Sequence, residues 1–332
     1  MSMRNEFYTK MQFGLEASYG AGGAATKIAI GQAPRVVTDT KTEMPVEQFG
    51  ARINKRRAIP YQRLYTSTRS IANAGFQQLI LPLETGLKHV TPAGASSPYT
   101  WTFEPNLSVA AGLNSPKSFV AQLGDGEQAW IVPGCHTDRI TLKGSVAQDG
   151  GSASVSLEQS YFGQKIDEGT FTASLSTENS TPMNAKYARL YWDTAWASLG
   201  TTEVTDALVE FTFELMTGMH PISRGGAENY PQAAAEGLID YTLALRIDSA
   251  LRDEMFASQQ AGEKIFTRLV IHNGADEDNA LTIDLACLIE DVTPIDGADR
   301  GDNLSSVALT SAFDDTSSKA LKIVLLTTQN AV

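Results

Sequence analysis

The chain has 332 residues, room for two domains of ordinary size, and its 42% apolar and 19% charged content suits a folded globular protein and excludes a disordered one. A net charge of −12 argues against tight or sequence-specific binding to duplex DNA. No run approaches the roughly 18 apolar residues of a membrane helix, and the opening MSMRNEFYTK has no apolar stretch of signal-peptide type, so no membrane partner is expected. Charge is uneven along the chain: residues 1–70 hold 11 Lys/Arg against 5 Asp/Glu, whereas the rest is strongly acidic. Such a basic end can meet an acidic one in head-to-tail self-association, or simply be a solvated basic loop.

The N-terminal 30 residues carry Phe7, Tyr8 and Phe13, then Gly20-Ala21-Gly22-Gly23-Ala24-Ala25. That run fits G-x-G-x-x-A formally. A dinucleotide site also needs a strand before it and a helix opening on the last glycine. Here KIAIG, another strand-like run, follows, so a flexible loop is expected and no cofactor. Residues 31–60 are extended and punctuated by Pro34, Pro45 and Pro60. Within them Arg52, Lys55, Arg56 and Arg57 put four cations in six residues, suited to an acidic protein surface.

A strand is expected over 61–70. A short helix is expected over 72–83, where Phe76, Leu79, Ile80 and Leu83 have helical spacing and Pro82 should end it early. Residues 138–146 alternate Ile140, Leu142 and Val146 with Thr141, Lys143 and Ser145. Residues 152–158 alternate Ala153, Val155 and Leu157 with Ser152, Ser154, Ser156 and Glu158. Period-two alternation means a strand with one dry and one wet face. Gln148-Asp149-Gly150-Gly151 between them reads as a hairpin turn. The wet face is mostly small hydroxyls, fit for solvent, a partner subunit or a water-filled channel.

The aromatic stretch 187–196 reads as packing, because no basic residue interleaves after Arg189. Alternation returns over 204–217 and again over 238–248, where Asp240 and Asp248 lie on the wet face. A helix over 250–260 stopped by Gly262, strands over 265–272 and 281–289, and a closing hairpin over 304–327 follow. This strand–helix–strand–strand–hairpin order repeats that of 61–159, which implies an internal duplication. The expected fold is mainly β: two tandem sandwich or barrel-like units, each with a short flanking helix, over 1–172 and 173–332.

The four histidines share no metal spacing, and no G-x-S-x-G, H-E-x-x-H or P-loop pattern is present. Acidic runs at 276–278 and at Asp296, Asp299 and Asp302 offer oxygen ligands without the EF-hand pattern. Cys135 and Cys287 lack C-x-x-C spacing and read as small buried hydrophobes of a reducing compartment. No catalytic or metal site is expected.

Tyr99-Thr100-Trp101-Thr102-Phe103-Glu104-Pro105, Gly134-Cys135 ahead of a long hairpin, and Tyr161-Phe162-Gly163-Gln164-Lys165 resemble the major tail-tube proteins of long-tailed, siphovirus-like bacteriophages. The opening Gly14-Leu15-Glu16-x-x-Tyr19-Gly20 and the ending around Asp314-Asp315 and Lys319–Ile323 are similar too. The resemblance implies a structural virion protein, not an enzyme, that forms rings stacked into a tube through which the genome passes without specific binding. It implies itself as chief partner, with tape-measure, tail-terminator and distal tail proteins as neighbours. It also implies location in the phage tail, after assembly in the host cytoplasm. Two tube units in one chain would close a pseudo-sixfold ring from three copies; a hexamer of chains is the other arrangement. On this reading Arg52, Lys55, Arg56 and Arg57 contact the next ring. Thr141, Ser145, Ser154, Ser156, Glu158, Asp240 and Asp248 face the lumen or a subunit seam. A β-rich decoration or receptor-binding module is the competing reading, and a hydrolase with scattered residues a third.

Overall fold

The computed structural model describes residues 9–332 apart from 35, 38, 47–54, 56, 109–110, 126–127, 147–152, 206, 227, 249–251, 275, 294, 297 and 300–301. The N-terminal half contains β1 (Lys10–Leu15), β2 (Lys27–Ile28), β3 (Thr40–Glu43), β4 (Ile59–Arg63), β5 (Tyr65–Ile71) and α1 (Ile80–Gly86). It continues with β6 (Tyr99–Phe103), β7 (Phe119–Gly124), β8 (Ala129–Ser145), β9 (Val155–Gly163) and β10 (Asp167–Gly169). The C-terminal half contains β11 (Ala188–Asp193), β12 (Glu203–Val204), β13 (Leu208–Met216), β14 (His220–Ile222), β15 (Ala233–Ala235), β16 (Asp240–Asp248) and α2 (Arg252–Ala261). Then come β17 (Ile265–Asn273), β18 (Asp276–Thr293), β19 (Ala298–Asp299), β20 (Asp302–Ser311) and β21 (Leu321–Thr327). The chain is mainly β, as its alternation requires.

The same antiparallel pairings occur twice. In the first half β1 pairs with β2 and β7, β7 with β8, β8 with β9 and β10, and β9 with β5. In the second half β11 pairs with β12 and β17, β17 with β18, β18 with β20 and β21, and β20 with β16. The registers correspond as well. Phe119 faces Cys135 as Ile265 faces Cys287. The row Thr66–Phe162–His136 matches Thr242–Thr310–Leu288, and each ladder then slips at a bulge, before Arg139 and before Asp291. Bulges of this kind bend a strand and sharpen its twist. They explain how β8 and β18, with 17 and 18 residues, each serve two groups of neighbours.

Two ladders cross the boundary at 172/173. β13 pairs with β8 on one side and β16 on the other, and β21 pairs with β6. The result is one sheet in the order β5–β9–β8–β13–β16–β20–β18. Its dry face packs with β6 and β21 into a core drawn from both halves, including Ile71, Phe103, Leu142 and Leu157 with Phe213, Leu243, Ile283 and Leu325. A smaller cluster under β1 and β7 holds Met11, Phe13, Phe119 and Tyr161.

Several expectations change. Pro82 does not end the first helix. A 3-10 turn over Phe76–Leu79 leads into α1 at Ile80, so Pro82 falls in the first helical turn, where its missing N–H costs nothing. The acidic run 276–278 belongs to β18, which extends from Asp276 and not from 281. The stretch 304–327 is not a hairpin that matches 138–159. β20 and β21 each pair with β18, so the counterpart of β8–β9 is β18–β20. Gly262 stops α2 with φ +65°, as expected.

Candidate assembly surfaces

The wet residues of the seven-stranded sheet line up across strands. One row runs Ser70–Glu158–Thr141–Glu214–Thr242–Thr310. The next runs Ser156–Lys143–Thr212–Ala244–Ala308–Asp291, and a third Ser145–Glu210–Arg246–Ser306–Thr293. Thr141, Ser145, Ser156, Glu158 and Asp240 thus share one surface, and Asp248 joins it two residues beyond Arg246. The face is not part of the protomer core: Ser145, Lys143, Thr242 and Asp248 are exposed, and Ser156 and Glu158 half-buried. Thr141 differs, being only 9% exposed between the longer Glu158 and Glu214 of its row. Ser154 departs from expectation, since it lies just outside β9 and bridges Asn184, off these rows. Carboxylates outnumber cations. Glu158, Glu210, Glu214, Asp240, Asp248 and Asp291 are set against Arg139, Lys143 and Arg246, and Arg139 is paired with Glu214 at 3.5 Å.

The two ends of this sheet are unlike. Beside β5, residues 32–39 are held at both extremes: Gln32 N donates to Ser70 O at 2.9 Å and Leu64 N to Asp39 O at 2.9 Å. Asp39 is fixed in turn, accepting from Arg63 Nε and Ile166 N, both at 2.9 Å. At the far end, residues 288–293 of β18 pair with β20 on one edge, and no strand among the described residues pairs with the other. The corresponding edge of β8 is filled by β13.

The basic segment sits on an arm built from β3 and β4, with Val46 bridging Lys55. Arg52 and Arg56 lie outside the described residues. Lys55 and Arg57 are exposed, and so are the apolar Met44, Val46, Ile59 and Tyr61. The arm's base rests on the loop after β14, through Gln62 Nε2 to Ser223 Oγ and Arg63 N to Asn229 O.

Three of the short motifs noted in the sequence meet at one node. Glu16, buried, accepts from Gly20 N at 3.1 Å, Gly22 N at 2.8 Å and Gly134 N at 3.1 Å. The glycine loop therefore already wraps a carboxylate of its own chain, which argues for the loop reading over a phosphate site. Tyr19 stacks on His136 with centroids 5.6 Å apart. Gly134 adopts φ +66° with Gln164 packed where a Cβ would stand.

Composition did not point to a second node. Arg69 is fully buried and pairs with Glu178, and also donates to Ile30 O at 2.6 Å. Glu178 further accepts from Ile30 N at 2.6 Å and Gln78 Nε2 at 3.0 Å. It ties the segment after β2, β5, the 3-10 turn and the interhalf connection together. A lone arginine in a strand of hydroxyls gives no sequence signal of this.

Both cysteines are free and fully buried, and burial pushes both thiols up, so they stay protonated and are not poised as nucleophiles. Burial lowers His136, whose Nδ1 lies 2.9 Å from Thr85 O and donates to it as the neutral ring. The described residues contain no group of three or more His, Cys, Asp or Glu placed to hold a metal ion. Among the described residues no helix is long and apolar enough to cross a membrane. No family model matches the chain, and no curated protein matches it.

Proposed function

We propose that this is a structural virion protein that assembles through its own copies into stacked rings, forming the tail tube of a long-tailed bacteriophage. The observation that carries the reading is the single seven-stranded sheet, with one face in the core and the other a continuous polar surface rich in hydroxyls and carboxylates. A channel wall needs such a sheet: a dry side to hold the protomer and a wet side that never closes on itself. A wall richer in carboxylates than cations repels phosphates, so DNA slides past without being held. The short motifs that resemble those of tail-tube proteins add support, because three of them converge on one node through Glu16, Tyr19, Gly20, Gly134 and Gln164.

The paired halves are a duplicated tube unit on this reading, and three chains make a pseudo-sixfold ring. The basic arm with its exposed apolar residues reaches the adjacent ring. Tape-measure, tail-terminator and distal tail proteins would cap or fill the tube, as the resemblance implies. Electron microscopy of the purified protein tests the reading. Stacked rings with an open channel are expected; discrete particles at every concentration contradict it and favour a decoration or receptor-binding module. Charge reversal of Arg56 and Arg57 together should shorten tubes while leaving rings intact, counted on the same grids.

A further inference from the structure

The β3–β4 ladder stands on a small root. Thr40–Glu43 and Ile59–Tyr61 are exposed, so the direction of the arm is set where the chain leaves and rejoins the body, at Asp39 and Leu64. Arg63 is the hub of that root. Its Nε donates to Asp39 Oδ2 at 2.9 Å, its Nη1 to Asp167 Oδ1 at 3.2 Å and its Nη2 to Ile166 O, so every nitrogen of the guanidinium is engaged. Its backbone N–H donates to Asn229 O at 2.6 Å. Asp39, 4% exposed, also accepts from Ile166 N at 2.9 Å, and its carbonyl accepts from Leu64 N at 2.9 Å. Asp167 holds Lys165 Nζ at 2.8 Å, and that ammonium lies 5.0 Å over the Tyr230 ring. Gln62 Nε2 donates to Ser223 Oγ at 2.9 Å. The root thus joins both strands of the arm to residues 165–167 of the first half and to Ser223, Asn229 and Tyr230 of the second.

We propose that this junction is a clamp that fixes the direction of the β3–β4 arm in the single protomer, with Arg63 as its positioning residue and the loop after β14 as its second jaw. The arm is then presented preformed, because a swing about the root breaks several hydrogen bonds at once. Two features separate the clamp from an incidental surface ion pair. Asp39 is buried and Arg63 is 25% exposed, so salt screens their pair weakly. The planar fork also reaches two carboxylates and a carbonyl in fixed directions, which the point charge of a lysine cannot reproduce. The clamp acts within one protomer and is independent of ring formation, so neither stands or falls with the other.

Anisotropy decay of a dye on the arm tests this. Met44 is exposed just beyond β3 and takes a dye through Met44→Cys, while the native thiols are buried and do not compete. In dilute protein with the clamp intact, the dye should tumble mainly with the whole protomer. Arg63→Met with Asp39→Asn removes the fork without stranding a buried charge, and should raise the fast local component about twofold or more. Arg63→Lys should fall between the two. Lys165→Ala with Tyr230→Ala leaves the Arg63–Asp39 pair in place and should give a smaller rise, with thermal unfolding little changed. A fast component that already dominates with the clamp intact, or one that is the same in every variant, overturns the clamp.

Discussion

The two halves share a ladder but fill it with opposite chemistry. Where the first half places Arg69, Gln159 and His136, the second places Leu245, Val307 and Leu288 at matching registers. The comparison teaches that the pairing pattern does not depend on what lies beneath it. Apolar positions in the second half stabilise by burial. Polar ones in the first half cost desolvation but pin specific loops: Arg69 and Glu178 hold the segment after β2 at Ile30, and Glu16 holds the glycine loop against Gly134.

The largest expected effect comes from making the first half resemble the second. Arg69→Leu strands a buried Glu178 carboxylate and should cost about 3–5 kcal/mol in urea unfolding. Adding Glu178→Gln, which removes the charge but keeps an acceptor for Ile30 N, should recover much of it. If the single substitution is neutral, the pair does not brace the segment after β2.

Next is the position before each buried cysteine. Gly134 has φ +66° and little room for a Cβ, whereas its counterpart Ala286 carries one and donates its N–H to Ala320 O at 2.8 Å. Gly134→Ala should cost about 1–3 kcal/mol, and Ala286→Gly at most about 1. Equal costs in thermal unfolding would break the contrast.

Hydroxyls come third. Tyr241 Oη lies 2.5 Å from Ala286 O and 2.8 Å from Ala320 O, tying β16 to the turn into β21. Its counterpart Tyr65 packs against Tyr161, and burial pushes it up to about 12. Tyr241→Phe should cost about 1–2 kcal/mol, because it leaves a buried carbonyl less satisfied.

The smallest effect is in pH. His136 is lowered by burial, so the unfolded chain takes up a proton near pH 6.5 that the folded chain refuses. Its contribution is present above pH ~6.5 and is lost as pH falls to the depressed folded value, by at most about 1.4 kcal/mol per pH unit. His136→Leu, copying Leu288, should flatten that part of the stability–pH curve. An unchanged slope in the variant would contradict the assignment.

Much of this was legible because strands with one dry face write themselves as alternation. Residues 140–146, 208–215 and 239–248 each gave the right face. What could not be read was long range. The alternation at 304–327 showed two strands, but nothing local tells that both pair with β18 and not with each other. Residues 129–137 hid a strand continuous with 138–145, because Pro133 and Gly134 resemble a break and a bulge absorbs them. Thr141 and Ser154 obeyed the pattern yet left the open surface, one shielded by its cross-strand glutamates and the other beyond the end of its ladder. Nothing local marks Arg69 as buried, because its partner is 109 residues away.

On the proposed function, each chain carries one tube unit twice and three chains close a ring. The mass of the smallest closed ring, measured on the intact assembly, tests it most directly. Three chains in a ring of sixfold appearance is the predicted result; six chains in such a ring would contradict it.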